Sequence, residues 1–155
     1  MNEKRRIVKV TYSNQDNAVS IYYKDGRIFN VPYPKLKINS PLTSVGIDTK
    51  TRGGAFYYKE ENTEKVYVPY DVPLIVNNDP EYLFELKLEN LSADLKQKIA
   101  QSKIPKYRLA KMLNTSESQL YRLLDPNRAS KNIFQLFKLA KLIGMDLQIR
   151  LKKAA

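Results

Sequence analysis

Residues 116–122 carry a run of hydrogen-bonding side chains whose types could read the edges of nucleic-acid bases. The members are Ser116, Ser118, Gln119, Tyr121 and Arg122. Gln suits adenine and Arg suits guanine, because each can form two hydrogen bonds to that base in the major groove of DNA. A purely structural helix would more often carry Glu and Lys pairs on its outer face, whereas Glu117 is the one acidic residue here. The run therefore predicts contact with DNA bases, and the alternative is an ordinary helical hairpin within a core.

Two short helices are predicted to position this run. The first should begin at Pro105, whose fixed φ suits an opening turn, and stop at Asn114, which tolerates a left-handed backbone. Thr115 or Ser116 can then accept the free amide hydrogens of the second helix. Apolar residues at helical spacing give inner faces to both helices: Leu109, Ala110 and Leu113, then Leu120, Leu123 and Leu124. With the small Ala110 at the crossing, the pair is typical of a helix-turn-helix.

The same stretch resembles a known family. The segments Arg-Leu-Ala-Lys-Met-Leu at 108–113 and Ser-Gln-Leu-Tyr-Arg-Leu-Leu-Asp-Pro at 118–126, followed by a predicted helix at 132–143, resemble the lambda-repressor-like, Xre-type DNA-binding domain. They are especially similar to the C-terminal domains of type II antitoxins of the HicB kind. Asn114 stands where that family usually has Gly, and Asn is the next most permissive residue for the turn. The resemblance, over residues 92–152, implies a dimeric DNA-binding domain.

Charge divides the chain in two. Residues 1–89 hold 13 Lys and Arg against 12 Asp and Glu, whereas residues 90–155 hold 14 against 4. Nearly all of the net charge of +11 therefore lies in the half with the helix-turn-helix pattern. This asymmetry predicts a β-rich domain for partner binding or sensing at 1–89 and a DNA-binding domain at 90–155.

The first half alternates apolar and polar residues as strands do. A strand is predicted at 6–12, and Asp25-Gly26 predicts a tight hairpin between strands at 18–24 and 27–31. A second hairpin is predicted from 55–59 and 65–70. Prolines at 32, 34 and 41 predict an irregular segment, and residues 71–78 are predicted to form an edge strand because of Pro73. Residues 82–91 fit either a helix or a strand. The tyrosines concentrated in these strands fit cross-strand packing or a partner-binding surface.

The second half is predicted to hold two further helices. Ser92 would cap one that runs to Ser102 with Leu95 and Ile99 inward. Ser130 would cap another, ended by Gly144, whose inner face is Ile133, Leu136, Phe137, Ala140 and Ile143. The fold class is therefore α+β: an antiparallel β-rich domain, then a four-helix lambda-repressor-like domain ending in a short strand.

That final strand, at 146–151, has alternating apolar residues, Leu147, Ile149 and Leu151. A lone strand leaves an unpaired edge. It would either join the N-terminal sheet or pair with the same strand of a second molecule, and the antitoxin resemblance favours the second arrangement. Pairing about a two-fold axis would place two recognition helices about one DNA turn apart, as a palindromic operator requires.

Contacts with the DNA backbone are predicted from residues that flank the proposed recognition helix. They are Lys106, Tyr107, Thr115, Arg128, Ser130, Lys131 and Asn132. The start of the helix near 132 is basic and polar, so its amides could grip a phosphate with the charges of Arg128 and Lys131. The alternative for these two cations is a solvated loop.

The absence of Cys and His excludes disulfides, thiolate nucleophiles, Cys or His zinc sites and His-based acid/base chemistry. We expect no cofactor and no metal. No signal peptide or membrane span is apparent, so we expect a cytoplasmic protein that does not engage a membrane.

The function predicted from these patterns is a dimeric, sequence-specific transcriptional repressor, as an antitoxin that represses its own operon and binds a small toxin through the first half. The alternative is a host or phage regulator whose first half senses a ligand or oligomerises. An enzyme would need paired carboxylates, and the candidates lie in presumed turns: Asp48, Glu60, Glu61, Glu64 and Asp71. RNA binding is a fourth alternative, but the aromatics and the positive charge lie in different halves.

Overall fold

Two three-stranded antiparallel sheets and five α-helices make up the part of the chain that the structure, a computed structural model, describes: residues 3–128 and 131–150. The fold class is therefore mixed α+β. Described residues up to Leu83 form one compact unit, and those from Phe84 onward form a second.

The first sheet consists of β1 (Ile7–Ser13), β2 (Ala18–Tyr23) and β3 (Ile28–Pro32), in that order. The hairpin predicted at Asp25-Gly26 is confirmed: the Tyr23 N–H donates to the Arg27 carbonyl at 3.0 Å, and Gly26 has a φ of +88°. Only glycine adopts such a φ without strain. Apolar residues on one face of the strands, among them Val19, Ile21 and Val31, are fully buried.

The second sheet consists of β4 (Leu42–Ile47), β5 (Ala55–Glu60) and β6 (Val66–Pro69). The predicted hairpin is β5 and β6, whereas β4 was not predicted. A short 3-10 helix (Tyr33–Leu36) occupies the proline-rich segment, and β4 starts directly after Pro41. Gly46 interrupts the apolar pattern of β4 because Tyr57 lies against it: a Cβ at residue 46 would be 2.6 Å from the Tyr57 hydroxyl.

The prediction of an edge strand at 71–78 is wrong, because this segment forms the short helix α1 (Val72–Val76). Pro73 lies in its first turn. At that position the missing N–H of proline would have no partner inside the helix, so proline is tolerated there as well as at a sheet edge. The apolar run is buried in part through Leu74, which is inaccessible to solvent.

Helix α2 (Pro80–Gln101) includes residues 82–91, which the sequence left open between helix and strand. The prediction that Ser92 caps a helix is wrong. Ser92 lies inside α2, fully buried, and its hydroxyl donates to the Leu88 carbonyl at 2.7 Å. A serine can satisfy its hydroxyl on the preceding turn in this way, so it need not start a helix. The domain boundary predicted between residues 89 and 90 also lies inside α2.

The remaining helices are α3 (Lys106–Met112), α4 (Glu117–Leu124) and α5 (Ile133–Leu142). They share an apolar core with α2, in which the predicted inner residues Leu95, Ile99, Leu109 and Leu120 are buried. Burying a leucine side chain contributes about 1.5–3 kcal/mol, so this core holds the helices together. Its buried members are Leu88, Leu95, Ile99, Leu109, Ala110, Leu113, Leu120, Leu124, Leu136, Leu139 and Ala140.

The inner face predicted for α5 is only partly correct. Leu136 and Ala140 are buried as predicted, but Ile133 and Phe137 are 40% and 37% exposed. Leu139, which was not predicted, is fully buried. The buried stripe centres on Leu136, and a helix turn of 3.6 residues places Phe137 at its margin.

Gly144 ends α5 as predicted, with a φ of +74°, and the Met145 N–H donates to the Ala140 carbonyl at 2.9 Å. The strand predicted at 146–151 is not present in the single chain, since residues 145–150 form neither helix nor strand. A strand exists only against a partner strand, and no described residue pairs with this segment. Leu147 is partly buried, Ile149 is 77% exposed, and Leu151 lies outside the described residues.

Candidate nucleic-acid interface

The turn between α3 and α4 has the predicted left-handed residue. Asn114 has a φ of 54°. Its N–H donates to the Lys111 carbonyl at 3.0 Å, and the Thr115 N–H donates to the Ala110 carbonyl at 3.0 Å. These two bonds close the end of α3 and fix the direction in which the chain leaves it.

Ser116, and not Thr115, caps α4. The Ser116 side-chain oxygen accepts from the Gln119 N–H at 3.2 Å, and the Ser116 backbone is extended. The Ser116 and Ser118 hydroxyls lie 3.0 Å apart. Such a cap contributes about 1 kcal/mol to helix stability, because the first amides of a helix otherwise lack partners.

The outer face of α4 carries all five predicted base-contact residues, and all five are exposed: Ser116, Ser118, Gln119, Tyr121 and Arg122. The inner face carries Leu120 and Leu124, both buried against the core. Residues three and four apart lie on the same side of a helix, so Ser118 and Gln119 are neighbours of Arg122. Tyr121 lies on the other flank of this face.

One concave surface brings together residues of both predicted classes. This basic depression, of about 350 Å³, is formed by α4, the loop that follows it and the first turn of α5. It contains the predicted base contacts Gln119 and Arg122. The other lining residues are Thr115, Leu123, Arg128, Lys131, Asn132 and Gln135. No acidic residue lines it, so its charge is positive.

Lys131 is held within the second unit. Its ammonium donates to the Leu123 carbonyl at 3.2 Å and also to the Asp125 carbonyl, at the end of α4. Burial lowers the pKa of Lys131, and the nearby Asp125 carboxylate opposes that shift. An ammonium has three donors, so two are used to satisfy the last carbonyls of α4 and one remains for a ligand.

Asn132 caps α5: its side-chain oxygen accepts from the Phe134 N–H at 3.0 Å and from the Gln135 N–H at 3.2 Å. Ser130, predicted both as this cap and as a backbone contact, lies outside the described residues. Arg128 is exposed, and its backbone N–H donates to the Asp125 carbonyl at 3.2 Å. The start of α5 therefore lies beside two cations, which is an arrangement that favours a bound anion.

Tyr121 and Lys106 form a separate contact. The Lys106 ammonium lies 4.9 Å from the centre of the Tyr121 ring, and both line a smaller depression with Lys96 and Asp125. A cation at this distance is attracted to the ring face. Tyr107, the other predicted contact on α3, is 63% exposed. These three residues do not line the basic depression.

Gln135 was missed by the sequence analysis. It lines the basic depression, and its side-chain oxygen is buried without a hydrogen-bond partner among the described residues. The available signal was its position, three residues after the capping Asn132 and polar within an apolar helix.

Three of the five carboxylates considered for catalysis accept hydrogen bonds within the local structure. Glu60 accepts from the Ser40 hydroxyl at 2.6 Å and from the Ser40 and Asn39 amides at 2.7 and 3.0 Å. The Ser40 hydroxyl bond lowers the pKa of Glu60 most. Asp71 accepts from the Tyr82 hydroxyl, and Asp48 accepts from the Lys50 amide. Among the described residues, no three acidic side chains gather as metal ligands would.

The tyrosines of the first unit divide into two sets. Tyr23, Tyr33 and Tyr58 are buried, and their hydroxyls donate to the Tyr70 carbonyl, the Asn14 side chain and the Leu36 carbonyl. Burial raises the pKa of all three. A second set faces outward, as Tyr57 and Tyr67 do with ring centres 5.9 Å apart. Tyr57 and Tyr67 are also opposite each other on β5 and β6, so cross-strand packing is confirmed for both sets. A partner-binding surface stays a prediction for the second set.

No known protein family, curated protein or solved structure matches this chain. The candidate interface thus rests on the residues and geometry described above. Within the described part of the chain, no helix has the length and apolar character needed to cross a membrane.

Proposed function

We propose that this protein is a sequence-specific DNA-binding regulator whose α3 and α4 act as a helix-turn-helix. The single observation that carries the proposal is the basic depression. There, two residues suited to reading bases, Gln119 and Arg122, lie with the cations Arg128 and Lys131. A site that binds DNA specifically needs both kinds of contact in one place, because phosphate contacts position the protein and base contacts select the sequence.

Positive charge supplies the sequence-independent part of the binding. From Phe84 to Ala155 the chain has 15 Lys and Arg against 6 Asp and Glu. Each phosphate that these cations neutralise releases counterions, so affinity falls steeply as salt concentration rises. Arg128 and the start of α5 are the proposed phosphate contacts nearest the base-reading residues.

Base selection is assigned to the outer face of α4. Arg122 lies near the centre of that face and suits the O6 and N7 atoms of guanine. Gln119 lies on the flank beside the basic depression and suits adenine. Ser118 lies on the opposite side of Arg122 from Gln119 and can contact either base type or a phosphate.

A homodimer on a palindromic operator is part of the proposal. Residues 145–150 pair with no strand in the part of the single chain that the structure describes, and the apolar Ile149 is highly exposed. Pairing of this segment with its copy about a two-fold axis would satisfy the free backbone groups and bury those side chains. Two α4 helices would then enter successive major grooves about 34 Å apart.

The resemblance to lambda-repressor-like and antitoxin domains is supported by three local features. They are the left-handed Asn114, the Ser116 cap and the buried Ala110. From the sequence resemblance we propose that the protein is an antitoxin that represses its own operon. A toxin would bind the outward tyrosines of the first unit, where Lys65 lies 4.1 Å from the Tyr57 ring centre. Aromatic residues are common anchors in protein interfaces.

A ligand-sensing first unit is the second candidate. It is favoured by a depression of about 490 Å³ whose rim carries Arg6, Lys24 and Arg52 over the apolar Val8 and Ile47. Such a site suits an anion with an apolar body. A change in operator affinity on adding such an anion would favour this role, and co-purification of a small toxin would favour the first.

The test is selection of bound sequences from a random DNA pool, using the full-length protein at near-physiological salt. We expect an inverted repeat with half-sites about one helical turn apart. Arg122→Ala should erase preference at one base pair in each half-site, costing about 1–3 kcal/mol in discrimination. Lys98→Ala, which removes an exposed cation in a different depression, is the matched control and should keep the motif. Salt-sensitive binding without any enriched sequence would refute the proposal.

A further inference from the structure

A hydrogen bond joins the residue before the α4 cap to a base-reading residue. The Thr115 hydroxyl donates to the side-chain oxygen of Gln119, four residues later. The backbone of both residues is held by hydrogen bonds of its own. The Thr115 N–H is bonded to the Ala110 carbonyl at 3.0 Å, and the Gln119 N–H is bonded to the Ser116 side chain at 3.2 Å.

This bond decides which way the Gln119 amide faces. A glutamine amide has an accepting oxygen and a donating nitrogen, which exchange places when the group rotates by half a turn. With its oxygen on the Thr115 hydroxyl, Gln119 presents its nitrogen away from Thr115. A carbonyl oxygen has two lone pairs, so the oxygen can accept a second bond at the same time.

The same bond leaves Thr115 without a donor for DNA. A threonine has two donors, its backbone N–H and its hydroxyl, and both are used inside the protein. Phosphate oxygens only accept hydrogen bonds, so Thr115 has no free donor with which to bind a phosphate. The sequence-based assignment of Thr115 as a DNA backbone contact does not fit this geometry.

We infer that Thr115 is a positioning residue that sets the base preference of Gln119, an inference that rests on the proposed DNA-binding function. Adenine presents a donor at N6 and an acceptor at N7, which match the oxygen and nitrogen of a correctly oriented glutamine. Guanine presents acceptors at both O6 and N7. A freely rotating amide can donate to guanine O6, so the fixed orientation favours adenine over guanine.

The experiment measures binding of five full-length forms to the selected operator and to operators with each base in turn at each half-site position. The forms are the wild type, Thr115→Val, Thr115→Ser, Gln119→Ala and the Thr115→Val/Gln119→Ala double variant. Thr115→Val keeps the branched shape and loses only the hydroxyl. It should reduce the preference for adenine over guanine about tenfold at one position in each half-site, with the salt dependence unchanged.

Two comparisons identify the cause. Thr115→Ser restores the hydroxyl and should bind like the wild type. In the Gln119→Ala background, Thr115→Val should have no further effect, because the amide that it orients is gone. Thr115→Ala is added as a sixth form, a second variant without the hydroxyl, and thermal unfolding confirms that each form is folded.

Other results would overturn the inference. If Thr115→Val weakens binding equally on all sequences, then Thr115 contacts a phosphate directly. If the two substitutions act additively, Thr115 does not act through Gln119. If the wild type itself shows no base preference, the proposed function fails as well, and this outcome is visible before any variant is compared.

Discussion

The two units differ in how particular arginines are paired. In the first unit, Arg27 contacts three carboxylates, with Asp79 at 2.7 Å, Asp25 at 2.8 Å and Glu81 at 3.6 Å. In the second unit, neither Arg122 nor Arg128 has an acidic partner within 4.0 Å among the described residues. Cations that are paired stabilise the fold, whereas unpaired cations repel one another and remain available to a polyanion. Arg27 is therefore a structural cation, whereas Arg122 and Arg128 are proposed to be functional.

The largest effect is expected from removing Asp79, the closest of the three carboxylates that contact Arg27. The side chain of Asp79 is 7% exposed, and it also accepts from the Tyr82 N–H at the start of α2. Asp79→Ala should lower the free energy of unfolding by about 2 kcal/mol, since it removes the closest of three carboxylates from a partly buried guanidinium and also uncaps the start of α2. Urea denaturation measures this. Asp16→Ala, which removes an exposed carboxylate bonded to Ser13, is the control and should change stability by less than about 0.5 kcal/mol. Equal losses in the two variants would show that the Asp79 contacts stabilise the fold no more than an exposed hydrogen bond does, and Arg27 would no longer be a structural cation.

The next effect concerns binding and not stability. Arg128→Ala should reduce the slope of log affinity against log salt by about one, and weaken binding to all sequences alike. The unfolding free energy should stay within about 0.5 kcal/mol of the wild type, because Arg128 has no ion-pair partner among the described residues. Lys98→Ala, the control, should change the slope of log affinity against log salt less than Arg128→Ala does. A large loss of stability in Arg128→Ala would show that this cation is structural, as Arg27 is.

The smallest effect is expected in acid. Hydrogen bonds from Ser40 and Asn39 lower the pKa of Glu60, so its carboxylate stabilises the fold above its unfolded pKa, about 4.3. That contribution is lost as pH falls through the lower, folded pKa. Glu60→Gln should flatten the pH dependence of stability below about pH 4.3 by a few tenths of a kcal/mol, since the group is partly solvated. Melting curves between pH 3 and 6 test this, with Glu64→Gln in an exposed turn as control. If Glu60→Gln leaves the pH dependence of stability below about pH 4.3 unchanged, the Glu60 carboxylate does not stabilise the fold.

The elements that could be predicted from sequence are those whose signals are local. Asp25-Gly26 specifies its hairpin by the φ values it needs, and Asn114 and Ser116 specify the ends of two helices by their own backbone and side-chain bonds. Each of these signals spans four or five residues. Nothing distant in the chain competes with them.

The misses have the opposite cause. Pro73 suits both a sheet edge and a first helical turn, and only packing of Leu74 decides between them. β4 was missed because Gly46 interrupts its apolar pattern, and a glycine is needed there to leave room for the Tyr57 ring of the neighbouring strand. Ser92 resembles a cap, yet its hydroxyl is satisfied inside α2.

The candidate site divides in the same manner. The exposed residues of α4 could be predicted from helical periodicity, because it alone determines which side of the helix they occupy. The bond between Thr115 and Gln119, the Lys131 contacts at the end of α4 and the place of Gln135 depend on how the turns pack. No spacing rule in the sequence fixes those.

The Tyr121 ring, on which Lys106 stacks, is one of the few sources of ultraviolet fluorescence in the second unit. The chain has no tryptophan, and nine of its eleven tyrosines lie in the first unit. In the second unit, Tyr107 and Tyr121 are the only fluorescent side chains apart from the weakly emitting phenylalanines. Both are exposed, and one carries a cation over its ring. Ultraviolet emission from this unit therefore originates beside the proposed DNA-binding surface, without any attached dye.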